Sequence, residues 1–157
     1  MIKPPYAVLR RNYPDRRSVS SDELYMWIGQ PELAKKLGWE NTCALRMSLG
    51  LVRSGVHVSP ARLLVRAGEC KGRMLEPGQA NLSRFLERAW GVPEKYKGGP
   101  AAAKGIGSRH GVISFYRLWG ETDRQGHIDL VAPDRYGLVC EEDCYWSSVD
   151  VWFWPLK

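Results

Sequence analysis

The sequence is poor in histidine, has no long apolar run and carries no block of like charge. Three histidines, His57, His110 and His127, are spread over 157 residues. A zinc site draws on about four Cys, His or acidic ligands, and no paired Cys/His signature offers them, so no metal and no cofactor are expected. No apolar stretch approaches the ~20 residues of a membrane-spanning helix, and no membrane span is expected. The opening MIKPPYAVLRRNYPDRRS has five Lys or Arg side chains and no apolar centre of signal-peptide length. Basic residues are dispersed, and no zinc-finger, RNA-binding or helix-turn-helix signature occurs, which argues against nucleic acid as a partner. No internal repeat and no composition break marks a boundary, so residues 1–157 read as one domain.

What is present is the composition of a soluble globular protein, 44% hydrophobic and 25% charged, with a net charge of +6. That charge favours anionic partners such as an acidic polymer or an acidic protein. There are four cysteines: Cys43, Cys70, Cys140 and Cys144. The last two stand as CEEDC. This spacing suits a zinc half-site, a redox pair or a small disulfide loop. His127 is the one plausible extra zinc ligand nearby, and a disulfide fits better. Disulfides persist in oxidising compartments, yet the chain begins without a secretory pattern. Delivery by a specialised machine would reconcile the two.

Helices come first. Ser20 and Glu23 in SSDELYMWIG form a capping-box pattern for a short helix ending near Gly29. Pro31 opens a second in PELAKKLG, stopped by Gly38. Asn41 or Thr42 caps a third over 43–54, where Leu45, Leu49 and Val52 recur at helical spacing, widened by Met47 and Leu51. A fourth spans 77–90, with Leu82, Phe85, Leu86 and Ala89 on one face. Residues 92–110, rich in Gly, Pro, Lys and Ala, read as a mobile loop. Strands follow at 111–119, 127–132, 136–140 and 149–154. Helices followed by an antiparallel sheet make an α+β fold.

Cys43 stands at the predicted start of the third helix, where unpaired N–H groups and the helix dipole favour a thiolate. A buried, inert cysteine is the plainer alternative. His127 follows a glycine at the start of a strand. A thiol at a helix N-terminus facing a strand histidine is the arrangement of papain-like cysteine hydrolases, in which the imidazole pairs with the thiolate and later protonates the leaving amine. His57 lies beyond the far end of the helix, and His110 reads as a loop residue. A third group should orient the imidazole. Asp129 shares the sheet face of His127, but a Cβ separation of roughly 7 Å along the strand puts it at poor reach. Glu141, Glu142 and Asp143, at the end of the neighbouring strand, are better placed.

WENTCALRMS, KGIGSRHGVISF, GHIDLVA, CEEDC and VWFWPL occur in that order between residues 39 and 156. Together they resemble the fourth family of type VI secretion amidase effectors, a branch of the papain-like, NlpC-type peptidases. The resemblance implies an α+β papain-like fold with N-terminal helices on a C-terminal antiparallel sheet. It implies a cysteine peptidase that cuts peptidoglycan stem peptides between D-glutamate and meso-diaminopimelate. It implies synthesis in the cytoplasm, secretion without a signal peptide through the type VI apparatus, action in a rival's periplasm, and a cognate immunity protein. The family's nucleophile and base fall on Cys43 and His127. Its acid falls on Glu142 at the middle of the Cys140–Cys144 loop, with Asp143, Glu141 and Asp129 as alternatives. Arg46, one turn beyond Cys43, would hold a substrate carboxylate or brace the fold, and bracing is the stronger reading. The Cys43 backbone N–H with a nearby donor would form an oxyanion hole. A non-catalytic wall- or partner-binding module, or a Cys-His acyltransferase of the same fold, are the rival readings.

Overall fold

The computed structural model describes residues 3–157, so the first two residues of the N-terminal stretch lie outside it. Helix α1 (Tyr6–Asn12) is followed by α2 (Ser21–Trp27), a 3-10 turn (Pro31–Lys35) and α3 (Cys43–Arg53). Two short strands, β1 (Leu63–Leu64) and β2 (Met74–Leu75), form a small hairpin before α4 (Gln79–Trp90). Then come β3 (Glu94–Lys97), α5 (Gly99–Ile106), β4 (Gly111–Tyr116), β5 (Gly126–Asp134), β6 (Gly137–Cys140) and β7 (Asp150–Pro155). The last five strands make one antiparallel sheet in the order β3-β7-β4-β5-β6, and the α+β class stands.

Local chemistry explains most boundaries. Ser20 accepts from the Glu23 N–H at 3.1 Å while the Glu23 carboxylate accepts from the Ser20 N–H at 3.4 Å, so the capping box forms as the sequence suggests. Helix α3 is covered on every side: each residue from Cys43 to Val52 is buried. A helix enclosed in this way is the centre of a core rather than its skin. Around it pack Leu9 from α1, Leu24 from α2, Leu82 and Leu86 from α4, and Val112, Ile128, Leu130 and Trp154 from one face of the sheet. The opposite face, with Ile113, Phe115, Val131, Val151 and Phe153, forms a second core under α5. Fully burying one such side chain contributes about 1.5–3 kcal/mol, so two cores of this size carry the fold.

The sequence reading gave a helix where Pro31–Lys35 form a 3-10 turn and did not include the β1–β2 hairpin, and two further segments differ more. Residues 92–110 are ordered, as an edge strand and a helix. Pro100 sits in the first turn of α5, where its fixed φ suits a helix, and Ala101, Ala102 and Ala103 are strong helix formers. Ala102 and Ile106 plug the second core. The glycines, which suggest mobility, instead allow close approach: a Cβ on Gly99 would stand 1.9 Å from the Trp146 carbonyl oxygen. The N-terminal stretch also holds a helix. Tyr6 and Leu9 bury one face of α1, and the Tyr6 N–H bonds the Lys157 carbonyl at 2.6 Å, tying the two ends of the chain together. No helix of the described residues is long and apolar enough to cross a membrane.

The seat of α5 gives a direct test. Trp146 presents a backbone atom, which cannot swing aside, so Gly99→Ala should cost about 1–3 kcal/mol of stability through overpacking. Urea unfolding of the two proteins measures it. Equal midpoints would mean that α5 does not rest on Trp146.

Candidate active site

Cys43 is the first residue of α3, as the helix pattern suggests, and is 2% exposed. Of the two candidate caps, the working one is Asn41. Its Oδ1 accepts the Cys43 N–H at 3.1 Å, and its Nδ2 donates to the Gly126 carbonyl at 3.4 Å. One exposed carboxamide thus ties the thiol helix to the first residue of β5. Thr42 turns inward to Arg46 instead. The Cys43 N–H, expected to face an oxyanion, is therefore already engaged.

His127 is the second residue of β5. Gly126 before it lies under Gln79 at the start of α4, and a Cβ there would come within 2.0 Å of the Gln79 amide oxygen. The glycine lets α4 close down on the strand and seat the imidazole. The ring stacks on its cross-strand partner Phe115 at 6.2 Å and meets Tyr145 edge-on at 5.1 Å.

The carboxylate on His127 is that of Asp129, not Glu142. His127 Nε2 and Asp129 Oδ2 are 2.7 Å apart, both side chains buried. The reach that looked too long from Cβ spacing is supplied by the imidazole, whose far nitrogen leans along the strand. With Nε2 taken, Nδ1 is the ring nitrogen left for the thiol. Asp129 is itself held by three main-chain donors. Leu130 N–H reaches Oδ1 at 2.7 Å; Glu142 and Asp143 N–H reach Oδ2 at 3.0 and 3.2 Å. The acidic loop therefore orients the histidine through its amides while its side chains point elsewhere. The Glu142 carboxylate takes Tyr13 Oη at 3.4 Å, Arg16 at 3.2 Å and Arg46 at 3.4 Å. Burial pushes the Glu142 pKa up, with His127 opposing and Asp129 adding to the rise. Glu141 pairs with Arg10 at 2.7 Å. Asp143 contributes its N–H to Asp129 and is otherwise exposed. Cys140 and Cys144 are joined in a disulfide that closes this loop.

Arg46 is wholly buried and cannot meet a substrate carboxylate; the bracing alternative is the one the geometry matches. Its guanidinium donates to Thr42 Oγ1 (2.9 Å), Pro14 O (3.0 Å), Val19 O (2.7 Å) and Ser21 Oγ (3.4 Å), beside Glu142. It pins the irregular segment between α1 and α2 beneath the thiol helix. The other titratable candidates lie outside the site. His57 is exposed, and His110 stacks on Tyr6 at 4.5 Å. Cys70 is a free, buried thiol whose pKa burial raises, in an apolar groove with Trp27 and Leu49 beyond the C-terminal half of α3. Among the described residues no group of three or more His, Cys, Asp or Glu is arranged to hold a metal ion. Sequence reasoning missed Tyr13 and Tyr145, which flank the carboxylates and the imidazole. Only the position of Tyr145, next to Cys144, offered a hint.

The electrostatics favour a charged ring. Burial pulls the His127 pKa down, but hydrogen bonds and charge from Asp129 and the Cys43 thiol outweigh it, and the value rises from 6.5 to about 10. Such an imidazole is positive at neutral pH beside the thiol, the charge arrangement of an activated nucleophile. Because the folded value lies above the unfolded one, the charged ring stabilises the fold fully below pH 6.5, and that contribution is lost as pH climbs through about 10. The His127 ring resonances should therefore titrate near the alkaline value, measured by NMR. Asp129→Asn should move the midpoint down toward the ordinary histidine range, and Glu142→Gln should move it far less. The reverse ranking would restore Glu142 as the histidine's acid.

The fold matches known proteins. Tae4 from Enterobacter cloacae superposes with a TM-score of 0.78 at 19% identity, over 99% of this chain and 98% of that one. The Tae4–Tai4 effector–immunity complex from the same organism gives 0.76 at 18% identity, over 99% and 100%. The Salmonella Typhimurium Tae4–Tai4 effector–immunity complex gives 0.70 at 16% identity, over 99% and 100%. These likenesses speak for the fold. Curated proteins compared by sequence give no match. The family described as "Type VI secretion system (T6SS), amidase effector protein 4" matches residues 39–154, a span that runs from the loop before the thiol to the last strand and takes in Cys43, His127 and Asp129. On that match, the chain belongs to the type VI secretion amidase effector 4 family.

Proposed function

We propose that this protein is a papain-like, NlpC-type cysteine endopeptidase, acting as a single catalytic domain over residues 1–157. Its target is the D-glutamyl–meso-diaminopimelate bond of peptidoglycan stems, reached after type VI delivery into a rival's periplasm. The observation that carries the reading is the line of three groups at the junction of α3 and β5: Asp129 holds His127 Nε2, leaving Nδ1 for the thiol of Cys43. Family membership supports the amidase chemistry.

The steps follow from the positions. The Cys43 thiolate attacks the amide carbon, and the carbonyl pair moves onto oxygen. The negative oxygen develops at the start of α3, where the helix dipole is positive. Collapse breaks the C–N bond, and His127 Nδ1–H gives its proton to the leaving amine. The now neutral imidazole takes a proton from water, whose oxygen attacks the thioester. Collapse then releases the new carboxyl group and the thiolate, and the ring is again charged. Asp129 keeps the tautomer and the ring angle throughout. Wall stems carry carboxylates, and a chain of net charge +6 is drawn to an anionic wall. Solved relatives are effector–immunity complexes, which supports a cognate immunity protein as the partner of this chain too.

The central test is Cys43→Ala on purified peptidoglycan, read by mass spectrometry of the released fragments and by free amines. The parent should release fragments that begin with diaminopimelate, and the variant none, with the fold unchanged. Iodoacetamide should block the parent. A variant that still cuts would remove Cys43 from the mechanism. Products lacking free amines would favour the binding or acyltransferase alternatives.

A second test concerns the loop. A disulfide across so short a loop contributes less to global stability than one closing a long loop. Its effect should fall on the Glu142 and Asp143 amides that hold Asp129. Reduction, or a Cys140→Ser/Cys144→Ser pair, should lower turnover at least tenfold with the melting temperature moved by only a few degrees. Full activity with both thiols free would overturn this role.

A further inference from the structure

Trp119 is an exposed aromatic close to the candidate site. It stands in the turn between β4 and β5 and is 63% exposed. Its edge rests on Tyr145 at 5.7 Å, and Tyr145 in turn lies edge-on to His127 at 5.1 Å. The indole is thus the outermost of three rings that lead from the imidazole to the surface.

The turn beneath it is firmly built. Asp123 accepts from the Trp119 N–H at 3.0 Å and from the Gln125 N–H at 3.2 Å, and the Leu118 N–H bonds the Gln125 carbonyl at 3.2 Å. Ser147 Oγ donates to the Leu118 carbonyl at 2.8 Å, the Leu118 side chain is buried in the second core, and Arg117 pairs with Asp150. The mount holds the exposed indole in a fixed place beside Tyr145. Glu121, Arg124 and Gln125 of the same turn are exposed and carry hydrogen-bonding groups, with Glu121 paired to Arg117.

We propose that Trp119, backed by Tyr145, is a subsite for an amino-sugar ring, so that the protein selects stem peptides still attached to their glycan. This rests on the amidase reading above. The chemistry of the substrate chooses the occupant. A stem of alanine, glutamate and diaminopimelate has no large apolar side chain to lay on an indole. The sugar rings of the strand do have an apolar C–H face, with hydroxyl and acetamido groups at the rim for polar neighbours. The reach agrees as well. Two ring contacts separate imidazole from indole, a distance that two or three extended residues span at about 3.3–3.6 Å each. The alanine and glutamate between sugar and scissile bond are that spacer.

The probes are a disaccharide-tetrapeptide from the wall and the same tetrapeptide without sugars. Trp119→Ala should raise KM about tenfold for the sugar-bearing fragment, the scale of one lost aromatic contact. It should leave kcat for that fragment, and both constants for the bare peptide, near parental values. Trp119→Phe should recover part of the loss. Calorimetric binding of both probes to Cys43→Ala, with and without Trp119→Ala, reads the subsite independently of turnover. If the parent cuts neither probe, the amidase reading fails, while a Trp119-dependent preference for the sugar-bearing fragment still supports the subsite. Equal loss on both probes would make Trp119 a support for Tyr145 and His127 and overturn the proposal. So would no loss on either.

Discussion

A buried carboxylate with no partners would cost several kcal/mol, and Asp129, with no exposed surface, sits where that cost would fall in full. Four donors offset it: the N–H groups of Leu130, Glu142 and Asp143, and the His127 ring. Much of the surrounding structure serves to keep those donors aimed. The disulfide closes the loop that carries two of them. Arg16, Arg46 and Tyr13 fix the Glu142 side chain, which prevents the loop from rolling over. Gly126 and Gln79 set the height of β5, and with it the ring.

Arg46 carries the same constraint outward. A buried guanidinium is tolerated only when its donors are matched. Its partners come from the segment after α1, from α2, from the residue just before α3 and from the acidic loop. The N-terminal helices are thereby joined to the site. Removing the guanidinium would leave Glu142 with only Arg16 and Tyr13 for partners, near Asp129, and breaking a buried ion pair by removing one member typically costs about 3–5 kcal/mol. That arrangement explains why an arginine in this core is used for cohesion rather than for ligand capture.

The sequence showed the parts that depend on local pattern. Ser20 and Glu23 announced a cap, Leu45, Leu49 and Val52 announced α3, and Gly126 before His127 marked the strand start. Cys140 and Cys144 pair as their spacing favoured. What was hidden depends on direction and depth. Residue spacing along β5 measures Cβ positions and says nothing of how far an imidazole reaches, so Asp129 looked too distant. Glu142 lies near the imidazole as the loop pattern implied, but which of its groups faces inward, amide or carboxylate, is decided by Arg46 and Tyr13, far away in sequence. Glycine and proline in 92–110 signal mobility only when nothing packs on them, and Trp146 and the second core do.

Stability and site geometry rest on different parts of this chain. Two apolar cores, one around α3 and one under α5, hold the fold by burial, which is non-directional, and the disulfide's Cys140 and Cys144 pack in the second of them. The Asp129 cluster depends instead on hydrogen bonds, which weaken steeply with misalignment, and two of its four donors sit in a loop closed by a bond that a reducing cytosol opposes. Site geometry therefore depends on the disulfide more directly than the core around α3 does. The physical basis is a division of labour: packing from the helices and sheet supplies most of the free energy of folding, and a five-residue loop supplies two of the amides that hold Asp129 against the histidine.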